Sequence, residues 1–238
     1  MAQADERRKL TKWLEVIRQD VKDIVFDNEI FWEVQQIIGS NPRFSNTRGI
    51  FNQWMTSSFI QAAALGARRQ ADRSSDCISL HKFLLEASSS PDLLSREYYV
   101  RVTLQASDWP KQDAEELANG DYDALVGPGM SQPDPVQVQR EIDELLAKTG
   151  KIRHYVDRRV AHYDLRGVQQ PVPTFNDLGE CLALFRRLIV KYYMLLTATD
   201  LGKSWPEFRF DHDWKAIFGF PWLEGPTKSG IPDRETSP

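Results

Sequence analysis

Histidine, arginine and carboxylate residues are concentrated between Tyr155 and Asp164, in a chain that contains only four histidines. Within this segment His162 follows Arg158 by four positions and Arg159 by three. A histidine can exchange a proton near neutral pH, and an arginine can bind a phosphate through parallel hydrogen bonds. These are the groups that cleavage of RNA without a metal ion requires. The alternative interpretation is an arginine-rich helix face in contact with solvent, which the spacing alone does not exclude.

Helical geometry predicts the side of the segment on which each of these residues lies. One apolar stripe faces the core, and it consists of Ile152, Val156, Val160 and Tyr163. Tyr155, Arg159 and His162 follow along one edge of that stripe, and His154, Arg158 and His162 follow along the outer face. An imidazole at the edge of the core beside two arginines is expected to have a lowered pKa, because burial and positive charge disfavour its charged form.

The segment therefore predicts a candidate ribonuclease site with His162 as the acid–base group and Arg158 and Arg159 beside the phosphate. The candidates for binding RNA or its phosphates are Arg158, Arg159, His154 and Tyr155. Asp157 and Asp164 are seven residues apart on the other side of the helix, where either can anchor the helix or pair with an arginine.

The rest of the chain must position this segment, and its apolar residues recur at three- and four-residue steps. Strand-like alternation is nearly absent, so the sequence predicts an all-α, up-and-down helical bundle. We expect a first helix from about residue 10, with a second helix or a kinked extension of the first up to residue 38. A third helix is expected over about 46–71, and a short helix after a cap at Asp76 or Ser79. Two further helices are expected, one from Pro135 and one from Leu178 to near Gly202. The residues predicted to face inward from the helix over 46–71 are Ile50, Phe51, Trp54, Met55, Phe59, Ala63 and Leu65.

Composition divides the chain into a bundle over 1–203 and a C-terminal extension over 204–238. Residues 107–134 are rich in Asp, Gly, Pro and Ser and predict an inserted loop. Asp134 and Pro135 are suited to the N-cap and first position of the next helix. Thr174 with Asp177 predicts a capping box for the last one. The extension is first aromatic and then rich in Pro, Gly and charge.

Composition also excludes several classes of protein. A formal charge of -4 and a pI near 5.7 argue against a DNA-coating protein. Cys77 and Cys181 form no CxxC pair, so neither a zinc site nor any cofactor is predicted. No signal-peptide core is found at the start, and no apolar run approaches the ~20 residues of a membrane span. We therefore expect a cytoplasmic protein with no membrane segment.

Two segments together resemble a known family. Residues 68–80, Arg-Arg-Gln-Ala-Asp-Arg-Ser-Ser-Asp-Cys-Ile-Ser-Leu, followed by Lys82-Phe83-Leu84-Leu85, look like the "R-x-x-D … S-L-x-x-L-L" segment of the abortive-infection AbiU branch of the HEPN superfamily. Residues 157–164, Asp-Arg-Arg-Val-Ala-His-Tyr-Asp, are similar to that branch's "R-D-K-x-x-A-H-x-D" signature. The resemblance covers about residues 10–200.

The resemblance implies a homodimeric helical bundle with a metal-independent ribonuclease site in the dimer cleft, built from an R-x(4–6)-H motif. His162 matches the motif histidine, and a 2′,3′-cyclic phosphate product is implied. Val156, six positions before His162, occupies the place of the family arginine. If that residue limits an enzyme, Val156→Arg is expected to create or raise activity.

Two hypotheses about function follow from the sequence. The first is a HEPN-like, ribonuclease-type effector in phage defence or a toxin–antitoxin system, with RNA and an antitoxin or neighbouring-gene protein as partners. The alternative is a catalytically inactive HEPN-like module for dimerisation or for binding RNA or a nucleotide.

Overall fold

The computed structural model describes residues 2–40, 49–160, 172–202, 205–206 and 214–219. Seven α-helices occupy most of these residues, and no strand occurs among them. They are α1 (Ala2–Ser40), α2 (Ile50–Gln70), α3 (Leu80–Ser89), α4 (Arg96–Ala106), α5 (Lys111–Val126), α6 (Pro135–Tyr155) and α7 (Phe175–Thr197). A 3-10 helix (Pro91–Leu94) joins α3 to α4, and α6 continues into a π-helical turn (Val156–Val160) that we call the π turn. The predicted all-α bundle is confirmed.

Helix α7 lies at the centre of the bundle and packs against α1, α2, α4, α5 and α6. Its buried side chains cover more than one face, as expected for a helix enclosed by others. They are Leu178, Cys181, Leu182, Leu184, Phe185, Leu188, Ile189, Tyr192, Leu195 and Leu196. The predicted capping box is present, since the Thr174 hydroxyl accepts from the Asp177 backbone and the Asp177 carboxylate accepts from the Thr174 backbone. The helix therefore begins where the sequence indicates.

Helix α1 is one continuous helix. The alternative of a separate second helix up to residue 38 is therefore wrong, and the chain continues in the same helix. No glycine or proline interrupts the chain before Gly39, and the helix ends at Ser40 as the sequence indicates. Small residues of α2 bring α1 close. A Cβ atom on Gly66 would lie 2.6 Å from Cδ1 of Ile24, so a larger residue there would require the buried Ile24 side chain to shift.

The predicted inserted loop at 107–134 is wrong for residues 111–126, which form α5 and pack against α4. Ala114, Ala118 and Tyr122 recur every four residues and are buried, which gives this polar stretch a narrow apolar stripe. The Tyr122 hydroxyl donates to the Leu94 carbonyl at 2.7 Å and fixes the helix against the bundle. The flanking segments 107–110 and 127–134 remain connections.

The inward orientation predicted for the start of α2 is also wrong. Burial of α2 against its neighbours begins at Phe59, whereas Ile50, Phe51 and Trp54 are largely exposed. Phe31 of α1 stacks on Phe59 at 4.2 Å between ring centroids. Nearby, rings from α1 and α7 meet edge to face. We use the name aromatic end for the exposed residues Trp32, Phe51, Trp54 and Phe175.

Contacts within the chain divide it into two units, Met1–Pro206 and Glu207–Pro238. The sequence places this boundary slightly earlier, after residue 203. In the second unit the structure describes a 3-10 helix, Trp214–Gly219, in which the Trp214 and Phe218 rings meet edge to face. The rest of the predicted extension beyond residue 206 lies outside the described residues. No described helix is long and apolar enough to cross a membrane.

We predict that truncating α7 in the core destabilises the bundle far more than truncating an exposed leucine. Leu188→Ala leaves a cavity at a fully buried site and should lower the free energy of unfolding by about 3 kcal/mol. Leu117→Ala, on the exposed side of α5, is the matched control and should change it by less than about 0.5 kcal/mol. Urea denaturation measures both, and equal losses would contradict the central position of α7.

Candidate functional site

The two segments that carry the family resemblance meet in space, although 89 residues separate their contact residues. Nε of Arg68, at the end of α2, donates to Oδ1 of Asp157 in the π turn at 2.6 Å. Nη1 of Arg68 also donates to Oδ2 of Asp72 at 3.0 Å. The hydrogen bond with Asp157 raises the pKa of Arg68, so the guanidinium is permanently charged. The interpretation of Asp157 as an anchor for an arginine is confirmed.

A second carboxylate holds the end of α2 from the other side. Asp20 of α1 accepts hydrogen bonds from the side chains of Arg69 and Gln70, with the Gln70 amide at 2.5 Å. Gln70 is buried, so this bond fixes the last turn of α2 against α1. The sequence analysis did not identify Asp20. Its signal is its position next to the buried stripe that contains Ile17, Val21 and Ile24.

Local hydrogen bonds hold the chain between α2 and α3 in place. Asp72 accepts from the backbone and the hydroxyl of Ser74, and these two bonds are the main reason that the pKa of Asp72 is lowered. The Ser79 hydroxyl donates to the Asp72 carbonyl at 2.8 Å and accepts from the Lys82 backbone. Of the two predicted caps for this helix, Ser79 is the one observed.

A polar cavity of about 330 Å³ opens where these segments meet. We call it the arginine cavity, and its lining residues are Arg68, Ala71, Asp72, Arg73, Ser74, Arg153 and Asp157. Arg68 is bound to both carboxylates. In the described part of the chain, the side chains of Arg73 and Arg153 form no hydrogen bond or ion pair. The cavity therefore carries two guanidinium groups that are not engaged by a described carboxylate.

His81, in the first turn of α3, is only 7% exposed and is influenced by the charges of this cluster. Burial lowers its pKa, and the charges of Arg73 and Arg153 lower it further, against the opposing effect of Asp72. Its Nδ1 is buried and has no hydrogen-bond partner among the described residues. Helix α3, which carries His81, packs closely on α6. The environment expected for His162 is thus observed at His81.

The predicted site residues that the structure describes differ in exposure. Arg159 is exposed, whereas Arg158 and Tyr155 are half-buried, and Tyr155 packs against the core. His154 was expected in solvent but is half-buried, with an Nε2 that has no hydrogen-bond partner in the described part of the chain. His162, the predicted acid–base group, lies outside the described residues, as do Tyr163 and Asp164.

The π turn changes the geometry on which the sequence argument was based. The predicted alignment of side chains assumes an α-helix through residue 163, but α-helical geometry ends at Tyr155. A π-helix has i→i+5 hydrogen bonds, so each residue turns through a smaller angle than in an α-helix. The predicted faces for Arg158 and Arg159 therefore do not apply. Such turns occur frequently at functional sites.

No group of three or more His, Cys, Asp and Glu side chains among the described residues is arranged to hold a metal ion. Comparison with protein-family models, with curated proteins and with solved structures finds no significant match to this chain. The function of the site must therefore be argued from its own residues.

The effect of Val156→Arg on activity stays a prediction, and the full burial of Val156 in the core adds an expectation about stability. We predict that Val156→Arg lowers the free energy of unfolding by about 3 kcal/mol or more, because it places an unpaired charge in the core. Val16→Arg, at an exposed position of α1, is the matched control and should change it by less than about 0.5 kcal/mol. Thermal or urea denaturation tests this, and a stable Val156→Arg protein would contradict it.

Proposed function

We propose that this chain is a HEPN-like, ribonuclease-type protein that cleaves single-stranded RNA without a metal ion. The observation that carries the proposal is the Arg68–Asp157 ion pair, which joins the two segments of the resemblance. Neither motif is specific alone, and their contact in the folded chain is what a shared site requires. A role as an effector in phage defence or a toxin–antitoxin system, with an antitoxin or neighbouring-gene partner, belongs to the same proposal.

In this proposal His162 removes the proton of the ribose 2′-hydroxyl, and the 2′-oxygen attacks the neighbouring phosphorus. The bond between phosphorus and the 5′-oxygen breaks, the 5′-oxygen takes up the proton that His162 returns, and the product is a 2′,3′-cyclic phosphate. Arg158 and Arg159 stabilise the negative charge that develops on the phosphate. Asp157 accepts a hydrogen bond from Arg68, which keeps this carboxylate directed toward α2.

Arg158 lies two positions after the place of the missing family arginine. With α-helical geometry, moving an arginine from six to four positions before His162 rotates its side chain by roughly 160°. Use of Arg158 in this role therefore requires a distortion of the helix or a second subunit, and Arg158 and Arg159 lie in the π turn.

The second candidate is a HEPN-like module that binds RNA or a nucleotide without catalysis. The burial of Val156 favours it, because the position of the family arginine belongs to the core of this protein. In that case the basic residues bind a phosphate but no charge is stabilised at a reacting centre.

Cleavage of single-stranded RNA in the presence of EDTA distinguishes the two candidates. We predict that the wild-type protein yields 2′,3′-cyclic phosphate ends and that His162→Ala lowers the rate by about 100-fold or more, the usual contribution of acid–base catalysis. His212→Ala, a histidine outside both motif segments, should cleave like the wild type. Equal rates of RNA cleavage for the wild type and His162→Ala, or no cleavage by either, would overturn the ribonuclease proposal and favour the binding module.

The partner proposed for the aromatic end is a second copy of this chain. An aromatic side chain buries about 150–250 Å², so the exposed fractions of Trp32, Phe51 and Trp54, 44%, 57% and 61%, correspond to roughly 350 Å². That is close to half of the about 800 Å² that each partner covers in a standard interface. A dimer interface of ordinary size would have this apolar patch as its centre.

We predict that the protein is a homodimer at micromolar concentration and that Trp54→Ser makes it monomeric, because the variant removes a large exposed ring from the proposed interface. Trp109→Ser, which replaces an equally exposed tryptophan between α4 and α5, should remain dimeric. Light scattering coupled to size-exclusion chromatography measures both. A monomeric wild type, or a dimeric Trp54→Ser, would overturn this use of the aromatic end.

A further inference from the structure

The arginine cavity has an excess of positive charge once its internal pairs are counted. Arg68 binds the carboxylates of Asp72 and Asp157, so this triad has a formal charge of one negative unit. Arg73 and Arg153 add two positive units from opposite sides, one from the segment after α2 and one from the last turn of α6. The lining residues together have a net charge of one positive unit, which favours an anion.

His81 is a buried imidazole on a third element, α3, and the charges of both Arg73 and Arg153 lower its pKa. Both guanidinium groups line the arginine cavity, so one small anion there can interact with both. The buried Nδ1 of His81 has no hydrogen-bond partner among the described residues, and a change of charge in the cavity should alter the pKa of this imidazole.

We propose that the arginine cavity binds a phosphate group, held between the guanidinium groups of Arg73 and Arg153. This site goes beyond the proposed function, since it uses none of the residues predicted for cleavage and requires no reaction. A guanidinium group can donate two parallel hydrogen bonds to two oxygens of one phosphate. Such charge-assisted hydrogen bonds are stronger than hydrogen bonds between neutral groups. We assign the anion to Arg73 and Arg153 rather than to Arg68, because the charge of Arg68 is offset by the two carboxylates that it binds.

The size of the cavity limits the ligand to a small phosphate compound or one phosphate of a longer chain. A volume of about 330 Å³ is at the lower end of the range for small-molecule sites. The same chemistry is presented by a free nucleotide and by a phosphate of RNA. Binding of inorganic phosphate, adenosine 5′-monophosphate and a short RNA that has only internal phosphates distinguishes these sources.

A bound phosphate also changes the electrostatic environment of His81. The charged groups that act on His81 are Arg73 and Asp72 from the segment after α2, and Arg153 from α6. The anion offsets both arginines, so the charged form of His81 becomes less unfavourable and its pKa rises. Binding and protonation are coupled reciprocally, so the anion binds more tightly to the protonated protein.

Isothermal titration calorimetry with the full chain tests the ligands. Arg73→Gln and Arg153→Gln should each weaken binding of inorganic phosphate by about tenfold or more, the effect of losing one charge-assisted hydrogen bond. Arg8→Gln is the matched control at an exposed arginine of α1 and should change binding less than about twofold. A wild-type protein that binds phosphate but does not cleave RNA leaves this proposal intact, so its failure and that of the proposed function are distinguishable. Equal affinities for Arg73→Gln, Arg153→Gln and Arg8→Gln, or no binding by the wild type, would overturn it.

A nuclear magnetic resonance titration of His81 locates the ligand. Sulfate is the probe, because its charge is constant between pH 5 and 8, and His81→Gln identifies the His81 signal by its loss. Sulfate should raise the pKa of His81 in the wild type but not in Arg153→Gln. Binding of sulfate without any change at His81 would place the anion elsewhere and overturn the assignment to the arginine cavity.

Discussion

The enclosure of α7 is the constraint on which the rest of the bundle depends. Ten of its side chains are buried, on more than one side, so the helix is stable only when several neighbours cover it. The packing of α1, α2 and α6 around α7 brings the end of α2 beside the end of α6. The polar cluster at Arg68 and Asp157 is therefore a consequence of apolar packing, and its exposed ion pairs contribute little stability by comparison.

Features that arise from short-range patterns could be predicted from the sequence. The capping box of α7, the C-terminal end of α1 and the buried positions of α7 follow from residues within a few positions of one another. Helix α5 was missed because only Ala114, Ala118 and Tyr122 form its apolar stripe, among acidic residues and a glycine that favour a loop. The exposure of Phe51 and Trp54 was missed because periodicity shows that a helix face is apolar, but it does not show where neighbouring helices begin to bury that face.

The candidate site depends on contacts between distant parts of the chain, and such contacts have no local pattern. The sequence indicated that Asp157 can pair with an arginine, whereas only the fold selects Arg68. The sequence does not indicate the importance of Asp20 or His81 for the same reason, since it comes from Arg69, Arg73 and Arg153. The π turn also has no simple signature, although it alters the direction of every side chain from Val156 to Val160.

The long separation between Arg68 and Asp157 affects the order in which the protein matures during synthesis. At about 5–20 residues per second, the 89 residues between them take the ribosome roughly 4–18 s to add. Helices α1 and α2 are complete during this interval, but Asp157 and Arg153 are not yet available. A nascent chain of this length contains one wall of the arginine cavity and cannot close it. Any activity that needs both segments is therefore delayed until α6 has emerged and packed.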